Sequence, residues 1–290
     1  MNDGIIAVTG ASGHVGSRLA ARLAARGARQ RLIVRDPSKA PSVAGAEIRR
    51  ASGYIAGEEM RAALEGAHTV FVIPARESAI RVAEHISAID AAVAAGVERI
   101  VYLSVVGAAP DATFTLARDH YATEQHILNA GIPYTFLRMN LYMDFIPFMV
   151  SSDGVIKGPA GTGRLAAVLR DDIADAAAAV LTGDAHEGKT YDLTGREAFT
   201  AADAAALMSR ISGKDISFHN ETVDEAYASR AMYQAPDWEV AGWVTSYTAI
   251  AGGELATVTD WIRRLAGHQP VTLAEYLEAH PDSLDHVTSR

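Results

Sequence analysis

Residues 9–16 read TGASGHVG, which spaces glycines at 10, 13 and 16 as GxxGxxG. That spacing suits the binding of a pyrophosphate through backbone alone. Gly10 permits a tight turn, Gly13 lets N–H groups approach the anion, and Gly16 allows a helix to pack closely on a strand. Unsatisfied amides and the dipole at a helix start favour the anion further. Thr9, Ser12, His14 and Val15 are therefore expected, with the three glycines, to contact a dinucleotide. A structural glycine turn would look the same in isolation. The distinguishing context is a strand before it and a helix after it. Farther on, Arg35 closes the second expected strand, where NAD enzymes tend to place an acid for the ribose 2′-OH. Arg35 can instead pair a 2′-phosphate in bidentate fashion, with Lys39 as a second cation. The expected cofactor is NADP(H); the neighbouring Asp36 keeps NAD(H) as the lesser alternative.

The elements needed to hold such a turn are written around it. Residues 5–9 form an apolar run without alternation, as expected for a parallel strand buried on both faces, and 31–35, 47–51, 69–73, 100–105 and 134–138 read as further strands. Val15, Leu19 and Leu23 share one helical face, and Gly27 is placed to stop that helix. Further helices are expected near 58–65, 77–95 and 114–130. Strand–helix alternation with right-handed crossovers gives an α/β fold, a Rossmann-type doubly wound parallel sheet spanning residues 1–140. After Arg138 the rhythm breaks into an aromatic and Met-rich run, then a Gly-rich stretch. Asp171 or Asp172 is expected to cap an Ala-rich helix through Leu181, with elements around 164–182 returning to the first domain. The rest mixes strands at 189–193 and 216–219 with helices near 200–211, 222–233, 238–250, 256–265 and 272–279. Residues 141–290 thus form mainly a smaller substrate lobe. Asp282, Asp285 and His286 read as a solvated, poorly ordered end.

Composition narrows the chemistry. The 290 residues contain no cysteine, which removes disulfides, thiolate metal sites and thiol nucleophiles. No apolar run approaches the ~20 residues of a membrane span, and no basic leader opens the chain, so a cytoplasmic protein is expected. Residues 141–290 carry 11 Lys+Arg against 22 Asp+Glu, a balance that argues against a nucleic-acid surface there. Oligomeric state is not encoded in any feature of the sequence.

With TGASGHVG (9–16), VRDPSKA (34–40), RIVYLSVVG (99–107) and above all HYATEQHILNAGIPYTFLRMNLYM (120–143), the chain resembles the NmrA-like, atypical branch of the short-chain dehydrogenase/reductase superfamily. That branch includes NADPH-dependent quinone and triphenylmethane-dye reductases. The resemblance implies NADP(H) use by a Rossmann domain with a small substrate lobe. It covers the first half closely and the second only in general shape. One departure concerns adenine. The acidic pair usual at the end of the third strand is replaced by Ala51-Ser52-Gly53-Tyr54, which leaves Ser52 or Tyr54 to take that role.

The other departure concerns catalysis. The wider superfamily uses Ser, Tyr and Lys, the lysine lowering the tyrosine pKa for proton delivery to a carbonyl. Here Ser104 and Tyr121 are present, but Gln125 stands at the lysine position, and a neutral amide cannot supply that shift. Reducing a simple ketone, or epimerising a nucleotide sugar, needs acid–base help that is missing. A quinone or cationic dye takes up hydride readily, and orientation alone can supply most of the acceleration. The nicotinamide end is expected near Ile73, Pro74 and Ala75, Ser104 and Val105 to Gly107, and Met139, Asn140, Leu141 and Tyr142. Tyr142, Phe145 and Phe148 could offer flat surfaces to an aromatic acceptor, although three-residue spacing also suits core positions for the two phenylalanines. His120 and Glu124, four apart on a helix, lack a third metal ligand and more simply border the cofactor or buttress the sixth strand. Two functions fit: an NADPH-dependent reductase of a quinone-like or other conjugated aromatic acceptor, with Tyr142, Ser104 and Tyr121 as the nearest catalytic candidates, or a non-catalytic NADP(H) redox sensor.

Overall fold

The computed structural model describes residues 4–288. Seven parallel strands form its central sheet: β1 (Ile5–Val8), β2 (Gln30–Val34), β3 (Glu47–Arg50), β4 (Ala67–Val72), β5 (Arg99–Val105), β6 (Tyr134–Met139) and β7 (Lys189–Leu193). Their order is β3-β2-β1-β4-β5-β6-β7. The reversal between β1 and β4 is the switch point at which doubly wound sheets bind ligands. All seven residues of β5 are buried, and alternate side chains go to opposite layers. Val101 and Leu103 join one core with Leu19, Leu23 and Ile173, while Ile100 and Tyr102 join another with Met60, Ile89 and Ile127.

Those layers are helical. Helices α1 (His14–Ala25) and α5 (Arg170–Thr182) cover one face, and α2 (Gly57–Leu64), α3 (Arg81–Ala94) and α4 (Thr115–Ala130) the other. The acids expected to cap α5 have other work. Leu169 is the N-cap and provides no side-chain bond. Asp171 pairs with Arg18 at 2.8 Å and Arg22 at 2.6 Å across the α1 interface, and Asp172 accepts from the Val271 N–H at 3.0 Å. Interhelix ion pairs take Asp171 and a loop amide takes Asp172, both within the first turn rather than at the cap.

A third core lies beyond the carboxyl edge of the sheet. It includes residues from α6 (Ala201–Ser212), α8 (Asp237–Ala251) and α10 (Leu273–Ala279), while α7 (Val223–Arg230) packs on α8. Two short ribbons complete this region, Val155–Gly158 with Ser217–Asn220 and Arg164–Leu165 with Phe199–Thr200. The helix expected at 256–265 shortens to α9 (Trp261–Ala266), because Thr259 is held by hydrogen bonds to Asp192 and Thr194 at the end of β7. Asp282, Asp285 and His286 are exposed, as expected, but the segment that carries them is docked on the lobe. Leu284 and Val287 are buried, Lys214 Nζ donates to both their carbonyls, and His286 bonds the Val150 carbonyl. Burial of two apolar side chains holds the segment in place while Asp282 and Asp285 stay in solvent. Among the described residues no helix is long and apolar enough to cross a membrane.

Candidate cofactor and acceptor site

The glycine-rich turn runs from the end of β1 into α1, as a pyrophosphate cradle requires. Gly10 has φ +58°, a conformation that side chains with a Cβ rarely adopt. A Cβ on Gly16 would stand 2.4 Å from the Gly10 carbonyl oxygen and 2.7 Å from Ala11 Cα, so this glycine is needed for packing. A Cβ on Gly13 would meet only the Gly10 oxygen at 3.2 Å. Ser12, Gly13 and His14 are exposed, whereas Val15 turns its side chain into the core. Gly13 caps α1 without a side-chain bond, leaving first-turn amides for a ligand. The turn therefore fits a pyrophosphate.

The Thr9 side chain is engaged within the fold. It is buried, and its hydroxyl receives the Ile73 N–H at 3.0 Å, lies 2.8 Å from Tyr54 Oη, and approaches the Phe71 carbonyl at 3.3 Å. Tyr54 donates to the Ile73 carbonyl, and burial pushes its hydroxyl up to about 12. Tyr54 is a post beneath the turn, close to Gly10. Ser52 remains exposed at the end of β3, its N–H held by Glu59 at 2.7 Å.

Arg35 is exposed directly after β2 and has no carboxylate within ion-pair distance among the described residues. Asp36 accepts from the Ser38 N–H at 3.0 Å and hydroxyl at 2.7 Å; these bonds hold its carboxyl below the usual range and tie it into the turn that carries exposed Lys39. An exposed cation pair whose neighbouring acid is tied to Ser38 suits a phosphate.

The carboxyl edge of β4 to β6 is differently built. Ser104 is fully buried and donates to Glu124 at 2.6 Å, while Glu124 holds Arg138 through two bonds of 2.9 and 2.6 Å. Ser104 and Arg138 are cross-strand partners on β5 and β6, so Glu124 on α4 clasps both strands. Val105 is buried in the lobe core, and Met139 is half-buried. Asn140 has no exposed surface. Its amide donates to the Leu255 carbonyl at 3.0 Å and accepts from the Leu141 N–H at 2.8 Å. Tyr142 lies under the Arg170 guanidinium, 3.8 Å from the ring centre, and Arg170 pairs with Asp144 at 2.8 Å. Burial pushes the Tyr142 hydroxyl up to about 12, against the pull of Arg170. Tyr121 is half-buried against the lobe core, with no hydrogen-bond partner for its hydroxyl among the described residues.

Ser104, Tyr121 and Tyr142 therefore stand in three separate environments and form no hydrogen-bonded group. Phe145 and Phe148 lie outside the core at 53% and 61% exposure, their rings 6.4 Å apart. They share one side of a 3₁₀ turn, Met143–Met149, whose three-residue repeat buries Met143 and Ile146 instead. His120 and Glu124 point to different partners, and the described residues contain no cluster of three or more metal-ligating side chains. Sequence reasoning missed the cluster of Arg81, His85 and Tyr102 that His120 joins. Its signal was the four-residue spacing of Arg81 and His85 at the start of α3, close behind Ala75.

A family model described as NAD(P)H-binding matches residues 10–184. The chain belongs to this NAD(P)H-binding family. Quinone oxidoreductase 2 of Escherichia coli is 33% identical over 93% of this chain and 96% of its own length. A crystal structure of that NADPH-dependent quinone oxidoreductase with NADPH superposes with a TM-score of 0.87, covering 94% of this chain and 99% of the other. Citrobacter triphenylmethane reductase, solved with NADP(H), is 32% identical with a TM-score of 0.83, over 94% and 99%. The chain is thus an oxidoreductase with a Rossmann-like fold and NAD(P)H as cofactor.

Proposed function

We propose that this oxidoreductase uses NADPH to reduce a quinone-like or other conjugated aromatic acceptor. The single observation that carries the reading is the carboxyl edge of β4 to β6, where Ser104, Asn140 and Tyr142 are already engaged. Ser104 gives its proton to Glu124, Asn140 serves backbone groups, and Tyr142 is covered by Arg170. No lysine follows Tyr121 at four residues; Gln125 stands there. When bound, the reduced cofactor supplies hydride. The protein's own part is to hold and orient. Gly10, Ser12, Gly13, His14 and Gly16 form the pyrophosphate cradle, Arg35 and Lys39 face a 2′-phosphate, and residues 73–75 and 139–142 border the nicotinamide end. An acceptor that delocalises incoming charge needs little more than this, and its product can take a proton from water.

Phe145 and Phe148 follow Tyr142 and present exposed rings to a flat acceptor. The quinone and triphenylmethane activities named for the two relatives above are consistent with such a wall. A screen of NADPH oxidation against quinones, dyes, enones and simple ketones tests the reading, with NADPH and NADH affinities measured alongside. Turnover is expected with the first two classes and at most weakly with ketones. Tight NADPH binding without turnover on any acceptor would replace the reductase by a redox sensor.

A further inference from the structure

Behind the loop that follows β4 lies a polar cluster with no part in the clasp made by Glu124. Arg81 and His85 on α3, Tyr102 on β5, and His120 and Thr123 on α4 are each at most 6% exposed. Burying such groups is costly unless their hydrogen bonds are made. Here the bonds close on the two peptide units that flank one residue, Ala75. His85 Nε2 accepts the Ala75 N–H at 3.0 Å, and Arg81 Nε donates to the Ala75 carbonyl at 3.1 Å. Arg81 Nη2 meets His120 Nε2 at 3.1 Å, His120 Nδ1 meets Tyr102 Oη at 3.0 Å, and His85 Nδ1 meets Thr123 Oγ1 at 2.8 Å. Backbone N–H and guanidinium only donate, so both Nε2 atoms are acceptors and both Nδ1 atoms carry the proton. Burial and the Arg81 charge lower the affinity of both imidazoles for a second proton.

The consequence falls on residues 73–75. Ile73 gives its N–H to Thr9 and its carbonyl to Tyr54, and both polar backbone atoms of Ala75 are taken by α3. Pro74 has no N–H. Its carbonyl is the one main-chain polar atom of this tripeptide without a hydrogen bond among the described residues.

We propose that Arg81 and His85, braced by Tyr102, His120 and Thr123, are positioning residues that fix the Ala75 peptide and so aim the Pro74 carbonyl at an O–H or N–H donor on the nicotinamide half of the cofactor. This rests on the reading that the cofactor runs from the glycine turn toward residues 73–75. The clamp holds the reacting half and leaves the adenine half alone.

The test compares wild type, H85L, H85Q and R81K by titration with NADPH and with 2′,5′-ADP, and by the fluorescence of bound NADPH, which reports the nicotinamide environment. H85L is expected to weaken NADPH by about tenfold, the scale of one lost hydrogen bond, and to reduce the fluorescence enhancement. Its affinity for 2′,5′-ADP should stay within about twofold, since that ligand lacks the nicotinamide half. Glutamine can accept from Ala75 and donate to Thr123, so H85Q should recover much of the wild-type signal. R81K keeps the charge but cannot hold Ala75 and His120 together through one ammonium, so it should repeat the split in a stably folded protein. Equal losses for both ligands, or wild-type fluorescence in both H85L and R81K, would overturn the clamp. None of these readouts needs an acceptor. Failure of every quinone and dye would remove the proposed reaction, while the fluorescence comparison would still decide the clamp.

Discussion

Two ends of one sheet edge use polar groups in opposite ways. At the carboxyl ends of β1 and β2, Ser12, Gly13 and His14 are exposed, and Arg35 and Lys39 extend into solvent as cations. At the ends of β4 to β6, Ser104, Glu124, Asn140, His85 and His120 are buried and hydrogen-bonded to one another or to backbone. Open groups wait for a ligand and contribute affinity; closed groups define a shape. The difference teaches that binding strength is concentrated on the phosphate side, while the reacting side contributes position more than acid–base chemistry.

The most damaging way to break this division is to fill the open turn. In G13V the first carbon meets the Gly10 carbonyl at 3.2 Å, a tight contact that a small shift relieves, and the γ-methyls enter the region the pyrophosphate must approach. NADPH affinity should fall by more than about 100-fold, or ~2.7 kcal/mol, with the fold retained. G16A should behave differently, because its methyl collides with backbone at 2.4 Å and must shift the turn itself. Titration and thermal melts of the two variants separate a cradle from a packing glycine. Wild-type NADPH affinity in folded G13V would remove the pyrophosphate from this turn.

This contrast also explains what the sequence made visible. Uninterrupted apolar strands and the glycine turn are local patterns, and β7 at Lys189–Leu193 occupies the residues expected for it. The cradle and Arg35 could be read because their function depends on being unpaired. The closed side could not. The His85–Thr123 and Ser104–Glu124 bonds join residues 38 and 20 positions apart, and they exist only once α3, α4 and β5 are in register. The backbone bonds of the Thr9 and Asn140 side chains are likewise invisible in the sequence, because their partners lie 64 and 115 positions away. The docking of the tail is not legible because its two buried side chains, Leu284 and Val287, have no periodic context.

Acid should strain the closed side first. Burial and Arg81 push His85 down to about 3, and burial, Arg81 and His85 take His120 well below its ordinary value. Both are lowered relative to the unfolded chain, so their contribution is complete above about pH 6.5 and declines as pH falls. Each histidine can remove up to about 1.4 kcal/mol per pH unit across that window. Asp172 acts in the opposite sense. Burial raises its carboxyl to about 6, with Asp171 and Asp175 adding to the rise and the Val271 N–H and His268 opposing it. Protonated Asp172 therefore favours the folded state as pH drops from about 6 toward 4. Urea unfolding from pH 7.5 to 4.5 should show a net loss of a few kcal/mol, with a shallower slope in H85Q. A pH-independent midpoint in wild type would contradict a neutral buried pair.

Removing the exposed cation should have a smaller and more selective effect. R35A is expected to weaken NADPH by roughly 1.5–3 kcal/mol, the range for hydrogen bonds to a charged group, and to leave NADH nearly unchanged. The fold should be untouched, since Arg35 has no ion-pair partner among the described residues to lose. Parallel isothermal titrations of the two cofactors check this. Equal losses would mean that Arg35 stacks on adenine without reading the 2′-phosphate.

The smallest effects on turnover should come from the residues that most resemble a catalytic set. Tyr121 packs on the lobe core without a hydrogen bond, and its lysine partner is replaced by Gln125. Y121F should therefore keep quinone turnover within about tenfold of wild type, or ~1.4 kcal/mol of barrier. Ser104 supports Glu124, whose two bonds to Arg138 survive its removal. S104A should then lower stability by about 1 kcal/mol and leave kcat within a few-fold. The two measurements together ask whether the closed side does chemistry. A proton donor would lose ~10²–10⁴-fold in rate when truncated, with NADPH affinity unchanged. That result for Y121F in a folded protein would place acid catalysis on α4 and end the orientation-only mechanism. Small losses in both, with ketones still unreduced, would leave the acceptor's own electronic structure as the source of its reactivity.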